Sequence, residues 1–248
     1  MSIVSSTDAQ DPTACARRIM AVREKIGATC KAFDRDPNSV LLLAVSKTFP
    51  IEVIAAVADA GQQAFGENYA QEGVEKAIAR PDLEWHFIGP LQSNKTRGVA
   101  EHFTWVHSID RLKIAERLSA QRPTTLPPLQ VCIQVNIDDE ATKSGCPATE
   151  AMTLCQAITA LPRLRLRGLM AIPEPSSDAT TQRRNFAALR QLRDAINASD
   201  STLKLDTLSM GMSDDLESAI IEGATIVRIG SAIFGPRTYM NTPDRLEQ

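Results

Sequence analysis

Short apolar runs alternate with amphipathic stretches along nearly the whole chain. The run at 41–46, LLLAVS, is the plainest. Five apolar residues in a row mark a strand buried on both faces, and Pro50 just beyond cannot continue a ladder. Runs of the same kind stand at 64–66, 85–89, 105–108, 131–136, 166–172, 207–211 and 225–230, so eight strands are expected. Between them the apolar residues take helical spacing. Segment 15–26 sets Cys15, Ile19, Val22 and Ile26 on one face; 110–120 does so with Leu112, Ala115 and Leu118, behind Asp110 as an N-cap; 179–198 aligns Phe186, Leu189, Leu192 and Ile196.

Eight strands in strict alternation with helices predict an α/β protein, a (β/α)8 TIM barrel. A doubly wound sheet is the alternative, because the second strand is short. No internal repeat and no long linker interrupts the pattern. A single domain is expected over 1–248, with a flexible N-terminus at 1–13 and a C-terminal tail at 238–248.

Composition removes several classes of function. The 248 residues are 43% apolar, enough for a sizeable core, and 27 basic against 30 acidic residues leave a formal charge of −3. Basic residues are scattered apart from Arg163, Arg165 and Arg167, so neither nucleic acid nor a membrane is expected as the main partner. No apolar stretch approaches a membrane span, and the opening MSIVSSTDAQDPTA lacks the charged and apolar regions of a signal peptide. Five cysteines, an odd number without a CxxC pair, suit a reduced, cytoplasmic setting. The three histidines, His86, His102 and His107, show no metal-binding spacing, so no metal is expected.

In a barrel the C-terminal strand ends carry the site. Lys47 ends the first strand, where an apolar floor would lower its pKa and free a neutral amine to attack a carbonyl. The opposite end is chemically distinct. At 206–220 a strand, Gly211 and a helix start bring together Ser209, Met212 and Ser213, with Asp214 and Glu217 at capping-box spacing. The last strand repeats the arrangement with Gly230 and Ser231. Loops after strands seven and eight are where barrels hold phosphate; Asp214 and Asp215 would have to point away from it. A carbonyl-seeking lysine opposite a phosphate cradle suggests pyridoxal 5′-phosphate.

Longer stretches carry a resemblance. LLLAVSKTFP at 41–50, FGENYAQEG at 65–73, EWHFIGPLQSNK at 84–95, LRLRGLMAIPEP at 164–175, LSMGMSDD at 208–215 and VRIGSAIFG at 227–235 resemble the pyridoxal phosphate homeostasis protein family, in order and across most of the chain. The resemblance implies a single barrel like the N-terminal domain of alanine racemase, the type III fold of enzymes using this cofactor. It implies a covalent Schiff base on Lys47, and a phosphate site lined by Ser209, Gly211, Ser213, Gly230 and Ser231.

Other residues have two readings. Arg228 could face a helix carboxylate outside, or sit inside the barrel beside the pyridine nitrogen. Asn68 and His86 would reach the mouth, His86 as a structural hydrogen-bonding group; Asn136 and Met170 would be pocket walls. Lys95 and Lys143 read as surface lysines, Lys143 near enough the mouth to attract anions. No catalytic residue is assigned. A cofactor carrier that maintains vitamin B6 and amino-acid pools is expected, with cofactor-requiring apo-enzymes or salvage enzymes as partners, and a monomer. The alternative is an amino-acid racemase. It would need a second domain and an opposed tyrosine, whereas the chain has only Tyr69 and Tyr239.

Overall fold

The computed structural model describes residues 11–138 and 144–236. The alternation closes into a barrel. Its strands are β1 (Leu41–Val45), β2 (Ala64–Glu67), β3 (Glu84–Phe87), β4 (Trp105–Ile109), β5 (Leu129–Asn136), β6 (Leu164–Met170), β7 (Thr207–Ser209) and β8 (Ile226–Ile229). Each pairs in parallel with the next, and β8 returns to β1 with Leu43 opposite Arg228. A two-residue strand, Cys146–Pro147, pairs with the C-terminal end of β5 at Val135 and Asn136. The doubly wound alternative is thereby excluded.

Helices α1 (Pro12–Ala32), α2 (Ile51–Asp59), α3 (Ala70–Ala79), α4 (Thr96–His102), α5 (Leu112–Gln121), α6 (Ala151–Thr159), α7 (Ala179–Ser199), α8 (Leu216–Ile221) and α9 (Ser231–Phe234) surround the barrel. Asp11 caps α1 by accepting from the Thr13 amide at 3.0 Å, ahead of Pro12, whose missing N–H costs nothing in a first turn. Asp178 caps α7 through the Thr180 and Thr181 amides. Two expected caps fall elsewhere. Helix α5 begins one residue late, with Arg111 as N-cap, and Asp110 pairs with the Arg111 guanidinium at 2.8 Å. Asp215, not Asp214, is the N-cap residue of α8, and its carboxylate caps no helical amide but accepts from the Met212 amide at 2.5 Å.

Strand alternation divides the core in two. Leu42, Ala44, Phe65, Trp85, Phe87, Val131, Leu208 and Val227 face the helices. Leu43, Val45, Ala64, Ile88, Trp105, Cys132, Met170 and Ile226 face the barrel axis. The strands β6 and β7 approach so closely that a Cβ at Gly168 would lie 1.8 Å from the Thr207 carbonyl oxygen, so only glycine fits. All five cysteines are free and buried. Among the described residues no helix is long and apolar enough to cross a membrane, and no cluster of three metal-ligating side chains exists.

Candidate functional site

The register of β1 and β2 opposes Val45 to Gly66, and alternation continued past the strand ends brings Lys47 and Asn68 next to the rim, where Asn68 lines the cavity. Lys47 is half-buried. Its loop is held from outside the barrel: the Ser46 carbonyl accepts from Lys76 Nζ at 2.9 Å, and the Thr48 amide donates to Glu72 Oε1 at 2.6 Å. Thr48 adopts a φ of 69°, a region a β-branched residue rarely occupies. Phe49 then stacks on Phe234 of α9, with ring centroids 4.9 Å apart. The first strand's loop thus touches the last strand's helix.

Two strands round the rim from β1, Gly211 has a φ of 93°, and a Cβ there would lie 2.4 Å from the Ala219 Cβ. Ser213 is half-buried, while Met212 and Ser231 are exposed. Gly230 is the N-cap of α9, and its carbonyl accepts from the amides of Ile233 and Phe234 at 2.9 Å. The amides before these two precede the intrahelical ladder. A cavity of about 270 Å³ opens at the mouth, lined by Asn68, Ile88, Gln134, Ile172, Pro173 and Met212 among others. Asn68 Oδ1 is buried without a hydrogen-bond partner. Asn136 ends β5, half-buried.

His86 and Met170 do not reach this mouth. β3 begins at Glu84, so its second inward residue, His86, is fully enclosed, and Ile88 takes the rim position. Met170 is likewise buried within the barrel, with Ile172 above it.

Below the mouth runs a chain of polar groups. Arg228 faces the axis, 4% exposed, and donates to Ser209 Oγ and to the Ala171 carbonyl, both at 3.0 Å. Ser209 Oγ lies 2.7 Å from His107 Nδ1, and His107 Nε2 lies 2.9 Å from His86 Nδ1. His86 Nε2 faces Glu84 Oε1 at 3.2 Å, too poorly aligned for a full hydrogen bond. The guanidinium can only donate, and an ionised Glu84 can only accept. The consistent polarity therefore has Ser209 donating to His107, His107 to His86, and His86 toward Glu84. Burial lowers the pKa of both histidines, His107 well below the ordinary range, with His86 and Arg228 adding to the effect on His107. Contact with His86 holds Glu84 low. Burial brings Arg228 down to about 10, so it stays charged.

Ser209 therefore has its hydroxyl engaged inside the barrel, whereas Ser213 and Ser231 stand at the rim. Lys95 is exposed; Lys143 and Tyr239 lie outside the described residues. His107, Glu67, Glu72 and Lys76 carry contacts that the sequence did not single out. Signals existed for some. Lys76 stands on the buried face of α3 four residues after Glu72, and His107 shares its inward parity with Trp105.

A family model described as alanine racemase, N-terminal domain, matches residues 25–238. The pyridoxal phosphate homeostasis protein of Pseudomonas aeruginosa is 57% identical over 226 residues, covering 90% of this chain and 96% of the relative. That of Escherichia coli is 54% identical over 230 residues, covering 90% and 97%. Among solved structures, PipY of Synechococcus elongatus with PLP bound is similar at a TM-score of 0.77 and 34% identity, over 89% of this chain and 100% of that one. Alanine racemase from Corynebacterium glutamicum shares the fold, with a TM-score of 0.70 at 17% identity over 91% of this chain and 62% of that one.

Proposed function

Since the chain belongs to the pyridoxal phosphate homeostasis protein family, we infer that it binds pyridoxal 5′-phosphate at the barrel mouth and holds it for buffering or delivery. The observation that carries this reading is the seat of Lys47: an amine at the inward rim of β1, on a loop stacked through Phe49 against the α9 end of the phosphate side. The residues present fit the group. Asn68 Oδ1 is an orphaned acceptor at the mouth, and Ser213, Ser231 and the first amides of α9 supply donors of the kind a phosphate needs. When bound, the cofactor supplies an aldehyde that condenses with an amine and a phosphate that anchors it.

The roles of this chain's own groups follow. Lys47 would supply the amine that condenses with the cofactor aldehyde, with loss of water. Ser213, Gly211, Gly230 and Ser231 hold the phosphate, Gly211 through its turn and the serines through their hydroxyls, while Asn68, Asn136 and Met212 bound the ring. Arg228, now hydrogen-bonded to Ser209 and Ala171, would supply the positive charge beneath the cofactor ring, with His86, Met170 and Ser209 supporting it from the barrel interior. Asp215 now accepts from the Met212 amide, so that amide becomes available to an anion only when the carboxylate yields.

Carriage rather than turnover suits this set. Tyr69 is exposed at the N-cap of α3 and is not among the residues that line the mouth cavity. Five free thiols suit a reducing, cytoplasmic setting. Recipients would be apo-enzymes that require the cofactor. The test is borohydride reduction of the loaded protein followed by peptide mapping. The label is expected on the Lys47 peptide; labelling at Lys95 or Lys143, with an imine band persisting in Lys47→Ala, would overturn the assignment.

A further inference from the structure

Both peptide groups that flank Lys47 are tied to one buried ion cluster. Lys76 Nζ donates to the Ser46 carbonyl at 2.9 Å and bridges Glu67 Oε1 and Glu72 Oε1, each at 2.7 Å. The Ser46 hydroxyl donates to Glu67 Oε1 at 2.6 Å, and the Thr48 amide to Glu72 Oε1 at 2.6 Å. Glu67 shares the outward parity of Phe65, so the cluster lies between the barrel wall and α3, behind the rim rather than in the mouth.

A cluster of this kind is a poor way merely to attach a helix. One cation and two carboxylates leave water, and Glu67 Oε2 is buried without a partner. Apolar side chains of similar volume would join α3 to the wall at least as firmly. Apolar contacts cannot, however, fix the orientation of two peptide planes; directed hydrogen bonds can. Thr48 needs such a hold, because its left-handed conformation persists only where the surroundings impose it.

We propose that Glu67, Lys76 and Glu72 are positioning residues that fix the direction in which Lys47 leaves the rim, so that its amine meets the cofactor aldehyde. The proposal rests on the assignment of Lys47 above. Glu72 is the place to test it, being the most exposed of the three, with 25% of its side chain accessible. In Glu72→Ala the Thr48 amide loses its acceptor, and condensation of Lys47 with pyridoxal 5′-phosphate should slow by on the order of tenfold or more. Affinity for pyridoxine 5′-phosphate, which has an alcohol in place of the aldehyde, should stay within about twofold, because no covalent geometry is required of it. Glu72→Gln keeps an acceptor oxygen and should recover most of the rate.

Three outcomes would overturn the proposal. Glu72→Ala could condense at the wild-type rate. It could lose pyridoxine 5′-phosphate affinity in the same proportion, which would mark general damage to the site. Glu72→Gln could fail to recover the rate. Failure of the functional reading looks different: the imine band would then survive Lys47→Ala in the otherwise wild-type chain, and the proposal would fall with it.

Discussion

Arg228 donates to the hydroxyl of Ser209 at 3.0 Å in the sealed interior of the barrel, between adjacent strands β8 and β7. A buried guanidinium needs acceptors, and this one has a serine oxygen and a backbone carbonyl. The serine in turn meets a neutral histidine. A positive charge is thus held under the mouth by hydrogen bonds to neutral acceptors, with the Asp215 carboxylate near enough to favour it.

Ser209→Ala should destabilise the fold by about 2–3 kcal/mol, because both Arg228 and His107 lose a buried partner. Urea unfolding measures this. A midpoint indistinguishable from wild type would mean the hydroxyl is dispensable to both.

Arg228→Gln should weaken retention of pyridoxal 5′-phosphate while Lys47 remains trappable by borohydride. Glutamine can donate but carries no charge. Retention and absorbance spectrum both unchanged would assign the guanidinium to barrel packing alone.

Stability should fall on mild acidification. His86 and His107 are lowered by burial, so below about 6.5 the unfolded chain binds protons that the folded chain refuses. In that window stability rises with pH, by up to about 1.4 kcal/mol per unit for each histidine. Glu67, raised by burial, works the other way upward from 4.5, where the folded chain keeps a proton that the unfolded chain releases. A difference experiment separates them: the pH slope of His107→Gln between about 6.5 and 5 should be shallower by close to one proton. Parallel slopes in the two proteins would refute it.

Pyridoxal without its phosphate should bind far more weakly than the phosphorylated form. Each charge-assisted hydrogen bond is worth roughly 1.5–3 kcal/mol, so Ser213→Ala or Ser231→Ala should cost about tenfold to a hundredfold in affinity. Equal affinities for the two vitamers would rule out the cradle.

The purified protein should not interconvert L- and D-alanine at ordinary enzymatic rates of about 1–10³ s⁻¹. Chiral analysis of an overnight incubation decides this. Turnover in that range would restore the racemase alternative.

The barrel was legible because each buried strand is written as an apolar run, and the expected strands lie within two residues of the observed ends. Details that depend on one residue of register were not. His86 stands near the start of its strand rather than at its end, so it faces inward but lies deep, and Ile88, two residues on, takes the rim. Asp110 and Asp214 failed as caps because each helix starts one residue further on. His107 and Lys76 act through contacts 102 and 30 residues away along the chain, with Ser209 and Ser46. Barrel closure brings His107 to Ser209, and packing of α3 beside β1 and β2 brings Lys76 to Ser46; no local pattern encodes either.

The stack of Phe49 on Phe234 joins the two ends of the proposed site. Lys47 stands two residues before one ring, and Ser231 three before the other. A change that displaces one ring is therefore felt at both loops, so the proposed amine seat and the proposed anion seat share one mechanical link.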